Sequence, residues 1–177
     1  MDEKSKKKVI IGRTAMVAIP SEGIDSVAAK IDTGADSSSI WASELHVDQD
    51  NVLSFCLFAY GSPYYTGKRH ATRAYTASIV RSAHGTVQIR YRGQMTVRLG
   101  NRLVRGTFTL AERSNNTYPI LIGCRLLRNK FLVDVAKDTR PIRRTKRAAG
   151  IKSEFQQNPQ AFFEKYHSNN HRGDIEL

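Results

Sequence analysis

The chain has 177 residues, enough to bury the core of one domain but too few for two well-developed domains. Hydrophobic residues make up 40% of it, which excludes a disordered polymer, and no apolar segment is long enough to predict a membrane span. The net charge is +12, from 28 Lys and Arg against 16 Asp and Glu. That charge favours anionic partners, whether nucleic acid, ribosome, anionic lipid or acidic polypeptide.

Two cysteines without CxxC spacing indicate neither a disulfide framework nor a cysteine zinc site. The basic N-terminus is followed by an apolar stretch that Gly12 and Arg13 interrupt, a poor match to a signal peptide. We therefore expect a cytoplasmic protein without membrane association.

Short β-type runs separated by turn residues fill residues 9–137, the predicted domain. The segment 41–73 contains an aromatic cluster interrupted by Gly and Pro, and is interpreted as an inserted loop with strand fragments. The turns 82–85 and 100–102 predict two hairpins, and 125–129 has helix-forming composition. In chain order, the predicted strands are 9–13, 15–19, 27–31, 77–81, 86–91, 94–99, 103–110, 119–123 and 131–135.

Both ends are predicted to be tails. Residues 1–8 form a basic N-terminal tail, and residues 138–177 a basic, weakly structured C-terminal tail in which only 159–167 indicates a short helix. The basic run of the C-terminal tail is expected to be flexible and consists of Arg140, Arg143, Arg144, Lys146 and Arg147.

The sharpest local feature is a predicted strand that runs directly into Asp32-Thr33-Gly34. An acid at a strand end is held rigidly, the threonine hydroxyl can bond neighbouring backbone, and the glycine allows close approach of another chain. The same three residues also form ordinary turns, because Asp caps turns and Gly accepts positive φ. The triplet alone therefore leaves a catalytic and a structural interpretation open.

The wider context resembles the retropepsin family of aspartic peptidases. The shared pattern is Asp-Thr-Gly-Ala-Asp at 32–36, a glycine-tipped hairpin, then Ile120-Leu121-Ile122-Gly123 before a helix. It is still more similar to the bacterial retropepsin-like family often named ATP-dependent zinc proteases, which is linked to ATP-grasp glutamate ligases. Residues 80–85, 110–114 and 131–134 follow that family in order, and the resemblance covers about 9–137.

The resemblance implies a mainly β, retropepsin-like closed barrel with one short helix, acting as a homodimeric endopeptidase without a cofactor. Asp32 would be the catalytic aspartate, Thr33 would brace the two symmetric loops, and Gly34, next to Ala35, would offer its backbone to substrate. Asp36 would meet the substrate main chain. Two such carboxyls side by side share a proton, so one activates water while the other polarises the scissile carbonyl.

The resemblance also implies a flap, the hairpin that closes over a bound peptide, and a late structural motif. The flap residues would be Arg81, Ser82, His84 and Gly85, and the motif residues Ile122 and Gly123. Retropepsins often place Arg directly after that glycine to brace the loop acid. Here Cys124 stands there, with Arg125 next, and whether Arg125 takes over the bracing is open.

Metal chemistry is not indicated, because the five histidines include no HExxH and no tight pair with a carboxylate. His46 and His70 are expected to be surface or partly buried. Cys56 and Cys124 are interpreted as core residues rather than nucleophiles. Residues 37–39, three serines outside any Gly-x-Ser-x-Gly elbow, are interpreted as turn and strand-start hydroxyls.

The basic tail supports a second hypothesis, a non-catalytic module of the same fold that binds nucleic acid, a ribosome or an acidic polypeptide. The two hypotheses are compatible, since a basic peptidase would attract an acidic or glutamylated substrate by long-range steering. The expected partners are thus a second copy of the chain, a peptide or protein substrate, and an associated ribosome or ATP-grasp ligase.

Overall fold

The computed structural model describes residues 7–81, 87–137 and 146–167. The chain divides into two compact units, 1–140 and 141–177. The described part of the first unit is mainly β, with one short helix, α1 (Cys124–Leu127), and a 3-10 turn at Pro20–Glu22. Its strands are β1 (Val9–Ile11), β2 (Thr14–Ile19), β3 (Ile24–Asp32), β4 (Ser38–Val47), β5 (Leu53–Leu57), β6 (Arg69–Thr72), β7 (Tyr75–Arg81), β8 (Val87–Leu99), β9 (Arg102–Ala111), β10 (Ile120–Gly123) and β11 (Phe131–Val133).

Six strands form a ring in the order β10-β3-β2-β8-β9-β4, because β4 also pairs with β10. The pairs β10–β3 and β4–β9 are parallel, and the other pairs of the ring are antiparallel. Strands β5 and β6 extend the sheet beyond β4, β7 pairs with β8, and β1 pairs separately with β11. The ring leaves β10 hydrogen-bonded on both sides.

The interior of the ring is filled by aliphatic and aromatic side chains that recur at every second position of the strands, the period of a sheet with one buried face. Strand β10 itself has Ile120 and Ile122 without exposed surface, and Ile31 on the adjoining strand is 6% exposed. The largest fully buried side chains include Phe58 and Phe108. The strands that lead to the aspartate loop are therefore anchored in the core.

The expectation of a mainly β fold with a short helix is confirmed, but several elements differ from their predicted bounds. The predicted strands 86–91 and 94–99 are one strand, β8, which continues through Gly93. The predicted helix 125–129 begins and ends earlier, at Cys124 and Leu127, because Arg128 leaves helical geometry with a ψ of 131° and Asn129 has a left-handed φ of 61°. The last predicted strand ends at Val133, where the Asp134 side chain accepts a hydrogen bond from the Ala136 N–H and starts a turn.

The interpretation of 41–73 as a loop with strand fragments is wrong for its first part, where β4 runs through to Val47. The pairing of β4 with β5 shifts register between Ser43 and His46, and Glu44 between them has a positive φ of 54°. Such a bulge interrupts the alternation of inward and outward side chains, which hides the strand in the sequence.

In the second unit, the predicted helix at 159–167 is confirmed as α3 (Pro159–His167). The structure also has a helix α2 (Lys146–Gln157), for which no helix was predicted. The rings of Phe155 and Phe162 meet edge to face at 5.5 Å, and Lys165 Nζ lies 2.6 Å from Glu154 Oε1. Arg140, Arg143 and Arg144 lie outside the described residues. No helix in the described part of the chain is long and apolar enough to span a bilayer.

A buried carboxylate joins the 3-10 turn to β6. The Glu22 side chain has no exposed surface, and its Oε1 lies 3.0 Å from His70 Nε2 and 3.5 Å from Lys68 Nζ. The His70 contact is close but is not aligned as a hydrogen bond. Lys68 Nζ also donates to the Ser21 carbonyl at 2.6 Å, and the His70 ring stacks on Phe55. These contacts tie the β2–β3 connection to β6.

Replacing His70 with Ala should lower the free energy of unfolding by about 1–3 kcal/mol, because the Glu22 side chain stays buried with one of its two nitrogen partners removed. His46→Ala is the matched control, since His46 is exposed on β4. Urea unfolding followed by circular dichroism measures both variants. An equal effect of the two substitutions would show that the Glu22 contact does not stabilise the fold.

Candidate active site

Asp32 is the last residue of β3, and its side chain is 26% exposed. Its Oδ1 accepts a hydrogen bond from the Gly34 N–H at 3.1 Å, and its Oδ2 lies 3.5 Å from Lys30 Nζ. The Ala35 N–H donates to the Asp32 carbonyl at 3.3 Å, which makes the chain turn sharply. The carboxylate is therefore oriented by its own loop and remains open to solvent.

Gly123 lies opposite Asp32 in the parallel pairing of β10 and β3. A Cβ at this position would lie 2.5 Å from the Ser37 carbonyl oxygen and 2.7 Å from the Ala35 carbonyl oxygen. Both are backbone atoms, so no side-chain rotation could relieve the contact. The Gly123 N–H donates to the buried Ser38 Oγ at 3.1 Å. Glycine is needed here because the aspartate loop passes directly over it.

The residues after Gly123 hold the same loop. The Cys124 N–H donates to the Ala35 carbonyl at 2.7 Å, and the Arg125 N–H donates to the Asp36 carbonyl at 3.1 Å. These bonds join the first two residues of α1 to the backbone of Ala35 and Asp36. The predicted structural motif, Ile122 and Gly123, is thus brought next to the predicted catalytic loop.

Cys124 is only partly buried, which corrects the expectation of a core residue. Its thiol donates to the Thr33 carbonyl at 2.8 Å, so the side chain contacts the aspartate loop instead of the core. Arg125 Nη2 lies 3.6 Å from Asp36 Oδ2, so Arg125 faces the second acid of the aspartate loop. Both side chains are largely exposed, and such a pair stabilises a fold by about 1 kcal/mol at most.

The hairpin of β7 and β8 is paired from Tyr75–Gly93 to Arg81–Val87. The predicted flap residues Ser82, His84 and Gly85 lie outside the described residues, as does the side chain of Arg81. Near the tip, Ile79 lies opposite Ile89, and these side chains are 70% and 75% exposed. This exposed apolar pair was not among the residues predicted from sequence, although the alternation of the two strands places it on one face.

A cavity of about 260 Å³ adjoins the loop at Ser37 and Ser38 and reaches between β8, β9 and α1. Arg92 Nη2 donates to Ser37 Oγ at 3.4 Å. No sequence pattern predicts this cavity, because its lining comes from four separate segments of the chain.

The remaining candidate residues lie on β4, β5 and β6. His46 is exposed and His70 is partly buried, as expected, and Cys56 is 2% exposed in the core, which confirms its interpretation. Ser38 and Ser39 begin β4, so they are strand-start hydroxyls as predicted. Among the described residues, no three His, Cys, Asp or Glu side chains are grouped as metal ligands would be.

Comparisons with known proteins agree with this geometry. A family model described as the retropepsin-like aspartic endopeptidase RimB matches residues 10–144. Two curated relatives, from Shewanella halifaxensis and Shewanella pealeana, are each named a probable alpha-L-glutamate ligase and are 28% identical over 133 residues. The match covers 73% of this chain but only 29% of each relative.

Among solved structures, a Legionella pneumophila protein of unknown function aligns with a TM-score of 0.54 and 19% identity. The alignment covers 74% of this chain and 96% of that protein. At this identity the likeness concerns the fold alone.

Gly123→Ala should lower the free energy of unfolding by about 1–3 kcal/mol, because the added methyl overlaps backbone atoms of the aspartate loop. Gly93→Ala is the matched control: it also lies in a strand, and a Cβ there meets nothing within 4 Å. Thermal unfolding compares the two variants. A Gly123→Ala protein as stable as Gly93→Ala would contradict the packing described here.

Proposed function

Because this chain belongs to the family of retropepsin-like aspartic endopeptidases described as RimB, we propose that it hydrolyses peptide bonds as a homodimer with one Asp32 from each copy. The observation that carries the proposal is the position of the Asp32 loop, which packs closely over Gly123 and leaves the Asp32 carboxylate accessible to solvent. On this proposal, the six-strand ring is the closed barrel of one retropepsin subunit. The cytoplasm, where peptides and their ligases are available, is its proposed location.

The chemistry needs a second carboxyl beside Asp32. The nearest acid along the loop, Asp36, faces Arg125 instead, so a second copy of Asp32 is the proposed partner. Two carboxylates a few ångströms apart cannot both ionise, so the pair holds one proton. The ionised carboxylate removes a proton from water, whose oxygen attacks the scissile carbonyl carbon. The protonated carboxyl donates its proton to the carbonyl oxygen, and the leaving amine later receives a proton as the C–N bond breaks.

Several features support association and substrate binding on this scheme. Ile10 and Leu132 are neighbours in the β1–β11 pair and are 55% and 51% exposed, an apolar surface that a second copy would cover. Thr33 would brace the two loops across the twofold axis. The β7–β8 hairpin would close over the peptide with its exposed Ile79 and Ile89, and Asp36 would meet the peptide main chain.

The substrate is proposed to be an acidic polypeptide. The net charge of +12 attracts anions at long range. The chain also matches 29% of the length of relatives that are named probable alpha-L-glutamate ligases, which supports a link to such ligases. We therefore propose that this chain acts on glutamate-bearing peptides and associates functionally with an ATP-grasp glutamate ligase.

Asp32→Asn should reduce kcat/KM for peptide cleavage by about 10²–10⁴-fold or more, because an amide cannot share or accept the catalytic proton. Asp25→Asn is the matched control, since Asp25 is exposed on the same strand and its loss changes the charge equally. Mass-spectrometric digestion of a peptide library measures both. Full cleavage by Asp32→Asn would refute the assignment.

Excess Asp32→Asn protein mixed with wild type should inhibit cleavage, because mixed dimers contain only one catalytic carboxyl. Asp25→Asn protein at the same excess should not inhibit. Specific activity of the wild type should also rise with its concentration over the range in which sedimentation shows dimer formation. Activity strictly proportional to concentration, without inhibition by Asp32→Asn, would exclude a shared site.

A peptide extended by several glutamates should be cleaved faster than its unmodified counterpart, and the advantage should shrink as salt rises. Exposed charges are screened within about 8 Å at physiological ionic strength, so long-range attraction weakens first. Steady-state kinetics of both peptides across a salt series provides the measurement. Equal rates for both peptides at low salt would rule out preference for an acidic substrate.

A further inference from the structure

The cavity beside the aspartate loop is lined by arginines from three separate elements. Arg92 lies on β8, Arg105 on β9, and Arg125 on α1. Arg92 and Gln94 are two residues apart on β8, and Arg105 and Thr107 two apart on β9, with Gln94 directly opposite Thr107. These four side chains therefore share one face of the β8–β9 pair.

The polar groups of this cavity are unequally satisfied. Gln94 Nε2 donates to Thr107 Oγ1 at 2.9 Å, so these two side chains are already paired. Arg92 donates to Ser37 from Nη2, but its Nε is buried and has no hydrogen-bond partner among the described residues. A buried donor of a charged group without an acceptor is costly, and a bound acceptor would remove that cost.

The charged residues that line the cavity are all positive. None of the described residues that line the cavity is acidic, and Arg125 is paired with Asp36, whose side chain is largely exposed. Arg105 is exposed, so its guanidinium is free to turn toward a ligand. Two arginines beyond the Arg125–Asp36 pair thus remain to bind an anion.

We propose that this cavity, between Ser37, Arg92 and Arg105, is a subsite that binds the carboxylate of an acidic side chain of the substrate. Guanidinium groups match carboxylates by paired, charge-assisted hydrogen bonds. The cavity volume of about 260 Å³ suits one side chain, since sites for whole drug-sized ligands span roughly 300–1,000 Å³.

The position of the cavity links it to cleavage. Ser37 follows Asp36, the residue proposed to meet the substrate main chain, and lies five residues after Asp32. A peptide that passes Asp36 could place an acidic side chain in the cavity while its scissile bond lies at Asp32. This inference rests on the proposed function, which supplies the substrate class. It names the residues that would select an acidic side chain of that substrate.

The test uses a set of peptide pairs. The two peptides of a pair differ only by Glu or Gln at one position, and the set covers each position near the cleaved bond. Wild type should prefer Glu at one position by roughly tenfold in kcat/KM, the size of one charge-assisted hydrogen-bonded contact. Arg105→Gln and Arg92→Gln should each abolish most of that preference. Arg98→Gln, which removes the same charge from an exposed position of β8, should keep it.

A second measurement separates this subsite from the peptidase proposal. Binding of the same peptides to Asp32→Asn protein, followed by fluorescence anisotropy, needs no cleavage. Glu peptides should bind roughly tenfold more tightly than Gln peptides, and Arg105→Gln should remove the difference. If no peptide is cleaved but this difference holds, the subsite stands and the peptidase proposal fails.

Two outcomes would overturn the subsite. One is an unchanged Glu preference in both Arg92→Gln and Arg105→Gln, measured on protein whose thermal unfolding matches wild type. The other is wild-type protein that binds and cleaves the Glu and Gln peptides equally at every position, since the cavity would then not recognise an acidic side chain. An equal loss in Arg98→Gln would assign the preference to overall charge and would also refute it.

Discussion

The close passage of the aspartate loop over Gly123 is the constraint on which the rest of the site depends. Strand β10 pairs with β3 on one side and with β4 on the other, so four residues both close the ring and place Gly123 opposite Asp32. The loop between β3 and β4 must then cross β10, and two of its carbonyl oxygens lie 2.5 and 2.7 Å from the place where a Cβ of residue 123 would be. The same strand therefore closes the ring and forms part of the site.

This arrangement explains how a carboxylate can be rigid and accessible at once. The core holds Ile31 and Ile122 on the two adjoining strands, while the loop bonds at Ala35, Asp36 and Ser38 fix the turn. Asp32 itself needs only the Gly34 N–H and the nearby Lys30 amine to set its orientation. The scaffold therefore supplies positioning without covering the carboxylate, which leaves room for a second one.

The local part of the site could be predicted from the sequence because it is encoded in short segments. Asp32-Thr33-Gly34 and Ile122-Gly123 are each continuous, and buried aliphatic strands lead into both. They are brought together by the register of β10 against β3, and no local sequence pattern predicts that register. Cys124 was misassigned for the same reason, since its contact with the Thr33 carbonyl spans ninety-one positions of the chain. Strand β4 was missed because its bulge at Glu44 breaks alternation.

The positive charge of the chain acts on two length scales that sequence composition does not separate. A net charge of +12 produces a field that salt screens within about 8 Å, so it raises encounter rates with any anion and discriminates little among them. Arg92 and Arg105 meet only after folding, in a partly enclosed cavity where screening is weaker. Discrimination between a glutamate and its neutral isostere requires this second kind of charge, because a guanidinium that contacts the side chain directly can distinguish a carboxylate from an amide of the same shape. Composition therefore favours anionic partners in general, while the folded arrangement indicates where a carboxylate of the proposed substrate would bind.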